Sequence, residues 1–224
     1  MIKTFILPEL GKHCPQIALG QIQCIVKNSL HNNILWNEIE DQQLYIRNSF
    51  NFDTIKEQPN IKATREVYKK CGKDPHRYRP SAESLYRRII KENDLYKVNT
   101  IVDIINLLSL KTGYSIGAFD VDSISGNLTA GVGRKDEPYE GIGRGILNIE
   151  RMPVLRDETG GIGTPTSDEI RTAINLQTEH LFVNINGYTG EGSLTEVMDL
   201  CMSYLKKYCE ASKVEKKVVL YKNI

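Results

Sequence analysis

Three polar side chains interrupt the apolar run TIVDIINLLSLKT at residues 100–112 and the residue before it. Asp103 and Asn106 are three apart and Asn99 lies four before Asp103, so on a helix they share one stripe. A polar stripe on a buried helix has to be hydrogen-bonded, and Asp103 is expected to tie neighbouring loops to the helix. Asn106 is expected to face a pocket. Two glycine-rich segments follow, GIGRG at 141–145 and DETGGIGTPTSD at 157–168. Missing Cβ atoms there let a backbone turn sharply or approach a ligand. GIGRG lacks the spacing and strand-to-helix context of a nucleotide fingerprint, and no G-x-x-x-x-G-K-[ST] occurs, so GIGRG reads as a hairpin turn.

The remaining chemistry is narrow. His13, His31, His76 and His180 are scattered without a zinc-ligand spacing, so neither a metal nor a cofactor is expected. A G-x-S-x-G elbow is absent and no catalytic residue is assigned. Hydrolysis by such a chain would orient a water and polarise a carbonyl rather than pass through a covalent intermediate. Five cysteines, odd in number and without C-x-x-C, predict reduced thiols and a cytoplasmic location. The start MIKTFILPEL lacks the basic region and cleavage site of a signal peptide, and no apolar run is long enough to span a bilayer.

The elements that must position these residues come next. A chain of 224 residues with 40% hydrophobic and 25% charged residues suits one mixed domain. Two strands are expected before residue 28, the second in IALGQIQCIV, then helices in LHNNILWNEIEDQQLYIRNSF, ATREVYKKCG and SAESLYRRII. Gly72 suits a helix end and Ser81 a cap. The helix at 100–112 is apolar nearly all round, hence buried, and ends at Gly113. From Ala118 short strands are expected in AFDVDSISG, LTAGVG, GILNIE and TEHLFVNING. A helix in SLTEVMDLCMSYLKKYCE, with Ser193 and Glu196 at capping-box spacing, and a strand in KVVLY close the chain.

Charge is unevenly spread. Between Lys62 and Lys91 ten Lys and Arg face three acids, a local +7 in a chain whose net charge is +1. Tyr68, His76, Tyr78 and Tyr86 are interleaved as possible stacking groups. Such a segment suits either a phosphate-meeting surface or a solvated helix pair.

YKKCGKDPHRYRPSAESLYRRI followed by VNTIVDIINLLSLKTGYSIGAFD resembles the tRNA-binding B-three/B-four domain of the bacterial phenylalanyl-tRNA synthetase beta chain, specifically its free-standing relatives. The family segment runs Asn, apolar residues, Asp, two more, Asn, then a loop ending in His-Ala-Phe-Asp. The match covers about residues 62–190. It implies an α+β fold, a three-layer single domain of mixed sheets and packed helices with a cleft. N-terminal strands and a helix would occupy 1–60, the editing-domain-like core 62–190, and a C-terminal helix and strand 193–224.

The family role implied is proofreading: hydrolysis of tyrosine wrongly esterified to the phenylalanine tRNA, without a metal or covalent nucleophile. The implied partner is tRNA through its aminoacylated 3′ end. The implied pocket comprises Asn106, Gly117, Gly160, Gly161, Gly163, Thr164, Thr166, Ser167 and Asn184, with the glycine loop supplying oxyanion donors. Lys69, Lys70, Lys73, Arg77, Arg79, Arg87 and Arg88 are the implied RNA contacts. Gly117 stands where the family has histidine and Asn184 where it has glutamate. Restoring both groups is expected to raise tyrosyl-ester hydrolysis. The resemblance does not extend to a complete ligase. A non-catalytic module binding RNA or an amino acid is the alternative, and hydrolysis of a small amide or ester the third reading.

Overall fold

The chain runs through strand β1 (Thr4–Ile6), helix α1 (Pro8–His13), β2 (Ala18–Ile25), α2 (Asn33–Ser49), α3 (Pro59–Lys70), α4 (Ser81–Ile90), α5 (Thr100–Thr112), β3 (Ile116–Asp120) and β4 (Leu128–Val132). It continues through β5 (Glu140–Gly141), β6 (Gly145–Ile146), β7 (Pro153–Arg156), β8 (Gly161–Gly163), β9 (His180–Gly187), α6 (Leu194–Cys209) and β10 (Ser212–Leu220). The computed structural model describes residues 1–222. Residues 223 and 224, the end of the expected C-terminal part, lie outside the described residues.

Strand alternation builds two cores on one sheet. That sheet has the order β10-β2-β9-β3, all neighbours antiparallel. Ile22 and Cys24 of β2, Ile116 and Ala118 of β3, and Leu181, Val183 and Ile185 of β9 join the core formed with α2, α4, α5 and α6. Leu19, Phe119 and Phe182 instead join the core formed with Leu128, Ala130, Leu155 and Ile162 of the second sheet, β1-β4-β7-β8. Helices, first sheet and second sheet are therefore three layers, and the fold is α+β.

Most helix boundaries follow the local signals. Gly113 closes α5 at φ +72° and Gly72 follows α3 at φ +84°, conformations that glycine adopts without steric cost. GIGRG is the tight hairpin between β5 and β6. Two caps differ from expectation. The Ser193 hydroxyl makes no cap bond to α6 and instead meets the Tyr114 hydroxyl at 3.2 Å. Pro80, not Ser81, occupies the N-cap position before α4, and the Ser81 N–H donates to the Pro165 carbonyl at 2.7 Å. Gly161–Gly163, expected in a loop, is strand β8, and β7 has no alternation to reveal it because all four of its residues are buried.

Candidate functional site

A cavity of about 350 Å³ opens where α4 and α5 meet the edge strand β3, the 164–168 turn and the β5–β6 hairpin. Leu85, Val102, Ile105, Ile116, Ala118 and Ile174 give it apolar walls. Its polar groups are Ser81, Ser84, Asn106, Ser109, Arg144, Thr164, Thr166, Ser167 and Asp168. A mostly apolar concavity with a few polar groups is the usual form of a small-molecule site.

The stripe on α5 divides by task. Asn99 caps the helix, accepting from the Val102 N–H at 3.0 Å. Asp103 accepts from the Trp36 indole N–H at 2.7 Å and the Val98 N–H at 3.2 Å, so it is a structural tie; burial pushes its carboxyl pKa up and those two donors counter it. The Asn106 amide borders the cavity and has no hydrogen-bond partner among the described residues. It is the stripe member left available to a ligand.

The 164–168 turn is held internally. Thr164 Oγ1 donates to the Ser167 carbonyl at 2.9 Å and accepts the N–H groups of Thr166 and Ser167 at 3.2 Å each. Thr166 Oγ1 pairs with the Tyr68 hydroxyl at 2.8 Å. The Gly160 N–H donates to Asp157 and the Thr164 N–H to the Ser167 carbonyl. The Gly160, Thr164, Thr166 and Ser167 amides are thus engaged within the loop itself. The turn ends in Asp168, partly buried, whose Oδ2 accepts from the Ala118 N–H at 3.3 Å. Burial pushes its pKa up to about 8, with only that amide opposing the shift.

The nine expected pocket residues do not share one concavity. Asn106, Thr164, Thr166 and Ser167 border the cavity. Asn184 lies across the ladder from Gly117, with its side chain on the face toward the second sheet, where its Oδ1 accepts from Gln21 Nε2 at 3.0 Å and its Nδ2 donates to Asn186. Residues opposite one another in an antiparallel ladder share a face, so Gly117 also points away from α5. Gly163 and Asn184 line a separate crevice between the sheets, and Gly160 and Gly161 a shallow depression beside Tyr139 and Arg171. Asp168 links the two sides: a Cβ built on Gly117 or Gly163 would come within 2.9 or 3.1 Å of its Oδ1.

The five cysteines are all buried, and burial pushes the thiols of Cys14 and Cys24 up to about 11 and 12, far from nucleophilic at neutral pH. Among the described residues no group of His, Cys, Asp and Glu is arranged to hold a metal, and no helix is long and apolar enough to cross a membrane.

A family model described as the B3/4 domain matches residues 63–210. The chain belongs to the B3/4 domain family. It is 29% identical over 105 residues to a phenylalanine–tRNA ligase beta subunit of Fusobacterium nucleatum subsp. nucleatum, a match covering 46% of this chain and 13% of that relative. A solved N-terminal fragment of the phenylalanyl-tRNA synthetase beta-subunit from Pyrococcus horikoshii aligns over 96% of this chain and 50% of that one, with 12% identity and a TM-score of 0.45. The B3/4 chain thus spans a small part of the curated relative and half of the structural one.

The basic segment of this B3/4 domain is less cationic at its surface than its residue count. Lys73 is buried, its Nζ donating to the carbonyls of Asn148 and Glu150 at 2.7 and 2.8 Å, and desolvation lowers its pKa to about 8. It anchors the loop after the β5–β6 hairpin, and its charge, expected at an RNA surface, is turned inward. Lys69 pairs with Glu66, while Lys70 and Arg77 are exposed without an ion pair among the described residues. Arg79, Arg87, Arg88 and Lys91 gather with Ser84 and Asn93 around an open basin of about 300 Å³. Arg88 lies 3.7 Å over the Tyr96 ring, and Arg79 and Lys91 make no ion pair among the described residues. Ser84 belongs to both the basin and the cavity. Asp168, Arg144, Ser84 and Lys91 were not among the expected site residues. The seven-residue spacing from Ser84 on α4 to Lys91 just after it offers a faint helical signal for two of them, and nothing local marks Asp168 as other than a turn residue.

Proposed function

We propose that this B3/4 domain binds the aminoacylated 3′ end of a tRNA in the cytoplasm and hydrolyses the ester of a mischarged one in trans. The observation that carries this reading is the wall shared at Ser84: an apolar cavity able to take an amino-acid side chain adjoins a basin of four cations suited to phosphates. The family match to part of a phenylalanine–tRNA ligase beta subunit supports the same ligand class. Purified protein incubated with a panel of correctly and wrongly charged tRNAs is expected to release at least one amino acid faster than spontaneous loss. Equal rates across the whole panel would remove hydrolysis from the reading.

Binding without turnover is the second reading, favoured by Gly117 and by an Asn184 side chain already bonded to Gln21 and Asn186. The same panel separates the two, because a pure binder retains charged tRNA without ester loss.

The basin makes a further demand. Replacing Arg79, Arg88 and Lys91 with Gln is expected to weaken tRNA binding several-fold at fixed salt and to flatten the dependence of log affinity on log salt by roughly 2, since each lost phosphate contact releases fewer counterions. Unchanged affinity and salt slope in a folded triple variant would make the basin an ordinary solvated surface.

A further inference from the structure

Of all the side chains bordering the cavity, Asp168 is the one that can accept a proton near neutral pH; the others are hydroxyls, an amide, a guanidinium and apolar groups. Its setting is specific. Oδ2 is held by the Ala118 N–H, whereas Oδ1 accepts from no donor among the described residues and is not sealed from solvent. Two glycines, Gly117 and Gly163, leave the room its carboxyl occupies. The Asn106 amide, also without a partner, borders the same space. A carboxylate and an amide donor therefore border one concavity.

We propose that Asp168 is the general base of this cavity, acting on an ester whose carbonyl oxygen is held by Asn106. This rests on reading the cavity as an aminoacyl-ester site. In the attack, a water oxygen bonds to the ester carbon, its proton passes to Asp168, and the carbonyl electron pair moves to the oxygen that Asn106 holds. In the collapse, the carbonyl re-forms, the bond to the ribose oxygen breaks, and Asp168 returns the proton to that leaving oxygen. The products are the free amino acid and the uncharged tRNA end.

Proton affinity fits the task, because a base works best with a pKa near the working pH, and burial pushes this carboxyl up to about 8. The charged and titratable groups near it are few. Arg144 on the β5–β6 hairpin borders the cavity, the Tyr139 hydroxyl donates to the Ser167 carbonyl at 2.6 Å, and Glu169 follows in sequence. The α4, α5 and β3 residues that line this wall include no titratable group, the polar ones being Ser81, Ser84, Ser109 and Asn106.

The test uses the charged tRNA that the wild type hydrolyses fastest, in single turnover from pH 5 to 9. The wild-type rate is expected to rise with pH and level off above about 8. Asp168→Asn is expected to lose about 10²-fold or more of that rate together with the inflection, while still binding an amide-linked aminoacyl-adenosine. Asp168→Ala is expected to regain part of the rate when formate is added. A readout independent of turnover is the carboxyl-carbon NMR titration of Asp168 in the wild type, expected to inflect near 8. Hydrolysis by Asp168→Asn at the wild-type rate with the same inflection, or an Asp168 titration in the ordinary range near 3.8, overturns the assignment and leaves the proposed function standing. No ester loss from any charged tRNA overturns both.

Discussion

Replacing Glu83 with Ala is expected to cost about 3–5 kcal/mol of folding free energy, read as a lower urea midpoint with an unchanged slope. Glu83 is fully buried on α4, where its two oxygens accept from Arg65 Nη1 and Arg87 Nε at 2.8 Å each. The Arg65 side chain, only 8% exposed, also donates to the Pro75 carbonyl at 3.1 Å. Truncating the acid strands the Arg65 charge in a medium that cannot solvate it, and this desolvation supplies most of the cost. Replacing Arg65 and Glu83 together with apolar residues of similar volume should recover much of the loss. A single-variant cost under about 1 kcal/mol would show that water reaches Arg65 and that the pair is peripheral. The pair ties α3 to the helix carrying Ser84, Arg87 and Arg88, so the variant should also weaken tRNA binding.

The second large effect falls at Gly117. A Cβ there would come within 2.6 Å of Phe119 Cζ and 2.9 Å of Asp168 Oδ1. Phe119 is 1% exposed and packed between the sheets beside Phe182, so it has little room to move. Gly117→Ala is expected to cost about 1–3 kcal/mol, and Gly117→His more, by overpacking. Introducing the histidine of the resemblance should therefore lower the melting temperature and displace Asp168, which works against the gain in hydrolysis expected of Gly117→His together with Asn184→Glu. A Gly117→His protein that melts like the wild type would mean that the Phe119 ring swings aside readily. Asp168 carries its own stability signature. Its folded pKa is raised, so stability is lost as pH climbs from about 4 to 8, and Asp168→Asn should gain in relative melting temperature across that window.

What was legible in the sequence was mostly local. The bounds of α5, the left-handed Gly113 and the β5–β6 hairpin follow from periodicity and from residues that only certain turns accept. The site was less legible because faces and burial are decided by distant partners. A strand residue changes sides with a shift of one position, and the β9 ladder sends Asn184 to the second sheet although α5 carries Asn106 on the other side. Lys73 looks cationic in any count of charges, yet two carbonyls far along the chain draw it inward. Asp168 reads as a turn acid, and only the packing of β3 beside it gives it the surroundings of a base.

The serine shared by the cavity and the basin turns α4 into a measuring rod. Ser84 and Arg88 are four residues apart, about one helical turn, and a helix does not stretch to suit its ligand. On the proposed reading, a molecule long enough to fill both ends would be gripped twice, whereas a free amino acid would reach only the cavity and a bare strand only the basin. Length itself would then be a selection criterion, set by the pitch of a helix rather than by any contact to a base.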